Sequence, residues 1–296
     1  MSITRVTQSM MMERSLGGMQ MSLARLARTQ EQLSTGRVLN RPSDSPTDTT
    51  SAMRIRSSIS NQAQFVRNAE DGMGWLGQVD NTLTSMTDQV RRARDLALQG
   101  ANTGAGSTAS REALATEVDQ IRASLVASAN TSYLGRPIFG GITAGTAAYD
   151  AAGTYVGTPG SVDRTVAEGV TIRVDVDGNA VFGPAGSSLF DGLTALAADL
   201  RSANSTGMRT GIATLNTAMD RITTTLADVG TRYNRLDQAA EAAKSSTLNL
   251  TSSLSEIENT DLPRATVDLK MQEVAYQAAL SATSRVMQPS LLDFLR

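Results

Sequence analysis

Apolar residues recur along most of this chain at steps of three and four, the spacing that lays one stripe along a helix. The longest run passes through Ile212, Leu215, Met219, Ile222, Leu226, Val229, Tyr233, Leu236, Ala240, Ala243, Thr247, Leu250, Leu254 and Ile257. A seam of that length predicts a helix that must lie against a partner, either from the first half of the chain or from another subunit. A matching seam runs from Ile55 through Ile59, Val66, Met73, Leu76, Val79, Leu83, Met86 and Val90 to Ala97. Its step shortens at Met73, Leu76 and Val79, where Gly72, Gly74 and Gly77 surround Trp75. That irregularity predicts a bend or a close helix crossing. Shorter stripes lie at Leu16, Met19, Leu23, Leu26 and Leu33, at Leu114 to Leu125, at Leu189 to Leu200, and at Val267, Met271, Val274 and Ala278.

Two breaks divide this pattern. Gly36 is placed to end the first helix, and Ser45-Pro46 with Asp48 reads as a capping box opening the next. Glu258 to Pro263 makes a second cap-and-proline boundary. If the two halves run antiparallel, these breaks pair and the two terminal helices come together. Between residues 141 and 186 the helical period disappears. There Val170, Ile172, Val174 and Val176 alternate with polar residues, and Asp177-Gly178-Asn179 offers a turn before Ala180 to Phe182, which predicts a β-hairpin. The pattern therefore predicts a mainly α fold: an elongated antiparallel helical bundle or coiled coil of N- and C-terminal arms, with a small β-rich central insert. The segments are residues 1–45, 46–140, 141–187, 188–260 and 261–296.

Composition narrows the function. The 296 residues contain no His and no Cys, which removes the commonest general base, thiol nucleophiles, disulfides and soft-metal ligands. That lack suits a protein that crosses membranes unfolded. Only 4% of residues are aromatic, which points to a thin body. Net charge is −2, so no basic field calls for nucleic acid. No apolar run approaches a membrane span, and the N-terminus lacks the charged start and apolar core of a cleaved secretory signal.

The remaining motifs carry little chemistry. Gly72 to Gly77 fits GxGxxG, but no strand precedes it. Asp175, Asp177 and Asn179 resemble part of a calcium loop with the glycine and final Glu misplaced. Lys244 and Lys270 lie in helical segments with no catalytic cluster beside them, and Arg91, Arg92 and Arg94 read as a solvated face. The methionines Met10, Met11, Met12, Met19 and Met21 suit adaptable packing against a partner groove. These residues supply no catalytic, cofactor-binding or metal site.

One segment is distinctive. Gln32 to Pro46, which ends Arg-Pro-Ser-Asp-Ser-Pro, resembles the N-terminal signature of the flagellin superfamily in its hook-associated branch. Ile257 to Pro263, Ser290 to Leu295, Arg232 to Leu236 and Asn130 to Gly141 are similar to segments of the same branch. The resemblance covers both helical arms and implies a structural, non-enzymatic protein without cofactors. It implies export through the flagellar type III export apparatus without signal cleavage, and assembly outside the cell as a ring at the hook–filament junction. The implied partners are further copies of the chain, the first hook-associated junction protein, filament flagellin and a cytoplasmic export chaperone, with no nucleic acid and no membrane insertion. The implied contacts use Leu16, Met19, Leu23, Leu26, Val267, Met271, Val274, Ala278, Leu291, Leu292, Phe294 and Leu295. The competing expectations are a filament flagellin and, from a different class, a cytoplasmic coiled-coil scaffold protein.

Overall fold

Prolines and capping side chains decide where the helices begin. In the computed structural model, which describes residues 8–102, 107–145 and 147–286, α1 spans Gln8–Thr35 and stops at Gly36, whose φ is +68°. A left-handed backbone at that point is cheap only for glycine. The next helix, α2 (Pro46–Asn102), opens on the predicted cap: the Asp48 amide donates to Ser45 Oγ at 3.4 Å, and Ser45 Oγ donates to the Asp48 carboxylate at 2.7 Å. Helices α3 (Thr108–Ala129), α4 (Gly178–Phe182), α5 (Leu189–Ser202), α6 (Ser205–Glu258) and α7 (Leu262–Val286) follow. Asp261 caps α7 by accepting from the Arg264 amide at 3.1 Å. The fold is mainly α with a small β-containing insert.

The chain divides into two units. Asn61–Thr247 form a central unit, and Met1–Ser60 with Leu248–Arg296 form a terminal unit.

In the central unit the two long seams meet. Glu70 of α2 lies 4.0 Å from Lys244 of α6, Gly72 faces Leu236, and Gly100 faces Met208, so α2 and α6 run antiparallel. Helices α3 and α5 complete the bundle. Arg201 of α5 reaches Glu112 (3.1 Å) and Asp119 (2.7 Å) of α3, and Arg92 of α2 reaches Glu117 at 2.7 Å. Leu76, Val79, Leu83, Met86, Leu215, Ile222 and Leu236 are all fully buried in one continuous core. Tyr233 departs from the predicted seam and is exposed.

The glycines around Trp75 explain the irregular step. A Cβ on Gly72 would stand 3.0 Å from both Leu236 and Val174, and one on Gly74 would collide with the Tyr133 hydroxyl. Trp75 itself packs edge-on against Tyr133 at 5.7 Å. The helix stays continuous, and Gly72 and Gly74 let neighbouring side chains approach its backbone, whereas Gly77 faces open space.

The insert corrects one expectation. A short hairpin of β1 (Ser132–Tyr133) with β2 (Arg136–Pro137) precedes it, and its own strands are β3 (Asp163–Ala167) with β4 (Val170–Arg173). The second hairpin turns at Glu168-Gly169, so Val170 to Arg173 pairs with the preceding segment, not with Ala180 to Phe182. Residues 178–182 instead form the helical turn α4, capped by Asp177 accepting from the Asn179 amide. Two forces select that outcome. The Asp177 side chain satisfies a helix-start amide, and adjacent Val181 and Phe182 are both buried, which strand alternation cannot achieve on one face. The few aromatic residues are concentrated here: Phe139, Tyr149, Phe182 and Phe190 pack within 5.1–5.7 Å centroid distances.

Candidate assembly surface

The terminal helices pair with each other. Thr29 of α1 donates to Gln272 of α7 at 3.0 Å, and the segment after α1 joins the segment before α7 in a short antiparallel bridge, Arg37 with Asn259. There the Val38 amide donates to the Glu258 carbonyl at 2.7 Å, and the Thr260 amide to the Gly36 carbonyl at 2.9 Å. These bonds satisfy groups that two adjacent helix ends leave open. Glu258 is itself buried, with a side chain 7% exposed, and pairs with Arg56 of α2 at 2.7 Å.

Each terminal helix carries two stripes. On α7, the partly or fully buried positions Ala265, Leu269, Gln272, Tyr276, Ala279 and Thr283 follow steps of four and three. Val267, Met271, Val274 and Ala278 follow the same steps two residues later, about 200° round the helix. That second stripe lies in water: Val267, Met271 and Val274 are 61%, 63% and 65% exposed. On α1, Met19, Leu26, Thr29 and Leu33 are at least partly buried, whereas Leu16, Met21 and Leu23 are exposed.

The sequence pattern joins Leu16, Met19, Leu23 and Leu26 into one stripe, and the structure divides them between two faces. It also pairs α1 with α7 within the chain, as the joining of the two breaks leads one to expect. The reason for the division is that Thr29 and Gln272, polar and invisible to an apolar pattern, serve as a layer of the seam. Leu291, Leu292, Phe294 and Leu295 lie outside the described residues.

Burial in the terminal unit is shallow. Among its described residues only Ala52, Ala265, Thr29 and Glu258 fall in the buried class, and no Leu, Ile, Val, Met or aromatic side chain does. Two helices alone cover one stripe each and leave the rest wet.

Other clusters do structural work. Asp175 accepts from the Val162 amide at 2.7 Å and from both guanidinium arms of Arg173 at 2.9 and 2.7 Å, while Asp177 caps α4. The calcium-like trio is thus occupied by protein donors. Burial, with Tyr155 and Asp177 nearby, pushes the Tyr149 hydroxyl far above its ordinary value, so it stays neutral. Lys244 is held charged by its hydrogen bond to Glu241, which raises its pKa. Among the described residues no group of three or more His, Cys, Asp or Glu side chains is placed to hold a metal, and no helix is long and apolar enough to cross a membrane.

Residues 6–144 match the bacterial flagellin N-terminal helical region, and residues 212–295 match the bacterial flagellin C-terminal helical region. The chain is 25% identical to flagellar hook-associated protein 3 of Escherichia coli (strain K12), over 98% of this chain and 99% of that one. It is also 25% identical to flagellin FlaB2 of Treponema pallidum (strain Nichols), over all of both chains. Among solved structures, a putative flagellar hook-associated protein from Vibrio parahaemolyticus superposes with a TM-score of 0.68 at 22% identity, covering 73% of this chain and 100% of that one. Bacillus cereus FlgL superposes at 0.60 with 23% identity, over 68% and 99%.

Proposed function

This chain belongs to the bacterial flagellin family and is a structural component of the flagellum, and from that premise we propose that it forms the ring joining hook to filament. The Arg41-Pro-Ser-Asp-Ser-Pro46 signature favours this place over the filament itself, since the full-length similarity extends equally to a hook-associated protein 3 and to a flagellin. In this reading the terminal segments, residues 1–45 and 261–296, which carry α1 and α7, line the core of the assembly.

The observation that carries the reading is the second apolar stripe. Val267, Met271 and Val274 on α7, with Leu16 and Leu23 on α1, stand exposed on a unit that buries no large apolar side chain among its described residues. Covering each in a subunit contact contributes about 1–2 kcal/mol. Self-assembly thus completes a core that the single chain leaves half built.

The same reading covers the route to the site. A thinly packed terminal unit opens at low cost, which suits passage through the type III export apparatus without a cleaved signal. The exposed α7 stripe gives a cytoplasmic chaperone a groove-binding helix face before export. The protein's role is mechanical, with the first junction protein on one side and filament flagellin on the other, and no catalysis.

The test is position in the intact flagellum. An epitope inserted at the exposed Glu168-Gly169 turn should label a single band where hook meets filament. Label along the whole filament would make the chain a filament flagellin, and retention in the cytosol would make it a scaffold.

A further inference from the structure

The break between α1 and α2 builds a cavity that the apolar stripes do not use. The loop is firmly held: Asp44 accepts from the Asn40 and Arg41 amides at 3.2 and 2.8 Å, and Asn40 Nδ2 donates to the Arg37 carbonyl at 3.1 Å. With the first turns of α2 and the end of α6 it encloses about 310 Å³ within the terminal unit. Three guanidinium side chains, Arg37, Arg41 and Arg56, line it against one carboxylate, Glu258.

Glu258 is already engaged by Arg56. Arg41 reaches only Glu31, at 3.4 Å and from a largely exposed position. Of the three guanidinium groups, Arg37 alone lacks an ion-pair partner among the described residues, and Arg41 is held only by its largely exposed pair with Glu31. The cavity's other wall is apolar, formed by Leu39 and the exposed Met53. A free inorganic anion would leave that wall wet, whereas an Asp or Glu side chain brings a methylene stem along with its carboxylate.

We propose that this cavity receives a carboxylate side chain from a second copy of the chain, as a charged socket beside the apolar contact. Charge distribution supports that occupant. The first 60 residues hold eight of the 27 basic residues and four of the 29 acids, leaving 19 basic residues and 25 acids in the rest of the chain. Counted with residues 248–296, the terminal unit that carries the socket has 12 basic and 10 acidic residues and the central unit 15 and 19, so a small positive excess accompanies the socket and the negative excess lies in the central unit. Copies packed so that one's socket meets another's acidic surface are electrostatically matched, which favours register and encounter rate.

The inference rests on the self-assembly proposed above, so the experiment reads both. A photo-cross-linking residue replaces Met53 in one full-length variant and Val274 in a second, each produced in cells that build flagella. Irradiated flagella should give a covalent dimer from position 53, linked to an Asp- or Glu-containing peptide. Arg37→Gln/Arg41→Gln in the position-53 variant should lower that yield roughly tenfold, with an unchanged thermal melt showing that the fold is intact. A dimer from position 274 but none from 53 overturns the socket and leaves self-assembly standing. Cross-linking from 53 to a different protein, or a yield indifferent to the arginine changes, also overturns it. If neither position gives a dimer, the assembly proposal falls and the socket with it.

Discussion

The central and terminal units use the same three-and-four spacing and bury it to different depths. In the central unit α2, α3, α5 and α6 surround a shared interior, and Trp75, Leu83, Leu125, Phe182 and Phe190 disappear completely from solvent. In the terminal unit α1 and α7 have chiefly each other, and their contact includes the polar pair Thr29 and Gln272. A stripe is buried only when enough helices share the cross-section to cover it. The periodicity of a sequence therefore reports which residues are able to be buried, and the number of neighbouring helices decides whether they are.

The largest way to break this contrast is a charge on the uncovered stripe. Val274→Asp should abolish incorporation into flagella, seen as loss of motility and of attached filaments, while the melt of the secreted monomer stays at the parent value. Incorporation at the parent level would mean the α7 stripe is not a contact. Truncation inside the two units should then separate them energetically. Leu83→Ala should cost about 2–5 kcal/mol in denaturant unfolding, and Leu26→Ala less than about 1 kcal/mol because its side chain is already half wet. Equal costs would place both units on the same footing.

Arg56→Ala isolates Glu258, the one buried charge among the described residues of the terminal unit. It leaves Glu258 without its guanidinium and should cost about 1–3 kcal/mol locally, read as faster amide exchange at Val38 and Thr260 with the central unit unaffected. Gly74→Val probes the close approach in the central unit. The added side chain displaces Tyr133 from Trp75, which should shift the single tryptophan's fluorescence and cost about 1–3 kcal/mol. A modest, pH-dependent effect concerns the capping box of α5, where the Ser188 hydroxyl and Asp191 cap each other. Burial raises the Asp191 pKa, but hydrogen bonds from the Ser188 hydroxyl and amide and from the Gly186 amide outweigh it, leaving the carboxyl below its ordinary 3.8. Its contribution is therefore complete above that value and fades as pH falls through the lower folded one. Asp191→Asn should cost about 1 kcal/mol at neutral pH and progressively less in acid, compared with the parent by urea unfolding at each pH.

Much of the architecture was legible in the residues. Gly36, Ser45-Pro46 and Asp261 mark helix ends because caps and prolines act locally. The long seam from Ile212 is legible because each position repeats the same demand, and it does lie against α2. The split of Leu16 and Leu23 from Met19 and Leu26 was not, since a polar layer such as Thr29 with Gln272 leaves no apolar trace. The β3–β4 pairing was hidden for a related reason: Asp177-Gly178-Asn179 serves equally as a hairpin turn or a helix start, and the shared burial of Val181 and Phe182 decides between them. The charged socket was also beyond periodicity, because Arg37, Arg41, Arg56 and Glu258 meet only once the two breaks are joined.

The contrast between the units is tested most directly by hydrogen exchange on the full-length monomer and on the same chain in isolated flagella. In the monomer, amides of α2 between Val79 and Ala97 and of α6 between Leu215 and Ala243 should exchange only through global unfolding, while those of α1 and α7 exchange orders of magnitude faster. In flagella, α1 and α7 should become as protected as the central helices. Terminal helices already protected to the global limit in the monomer would contradict the account.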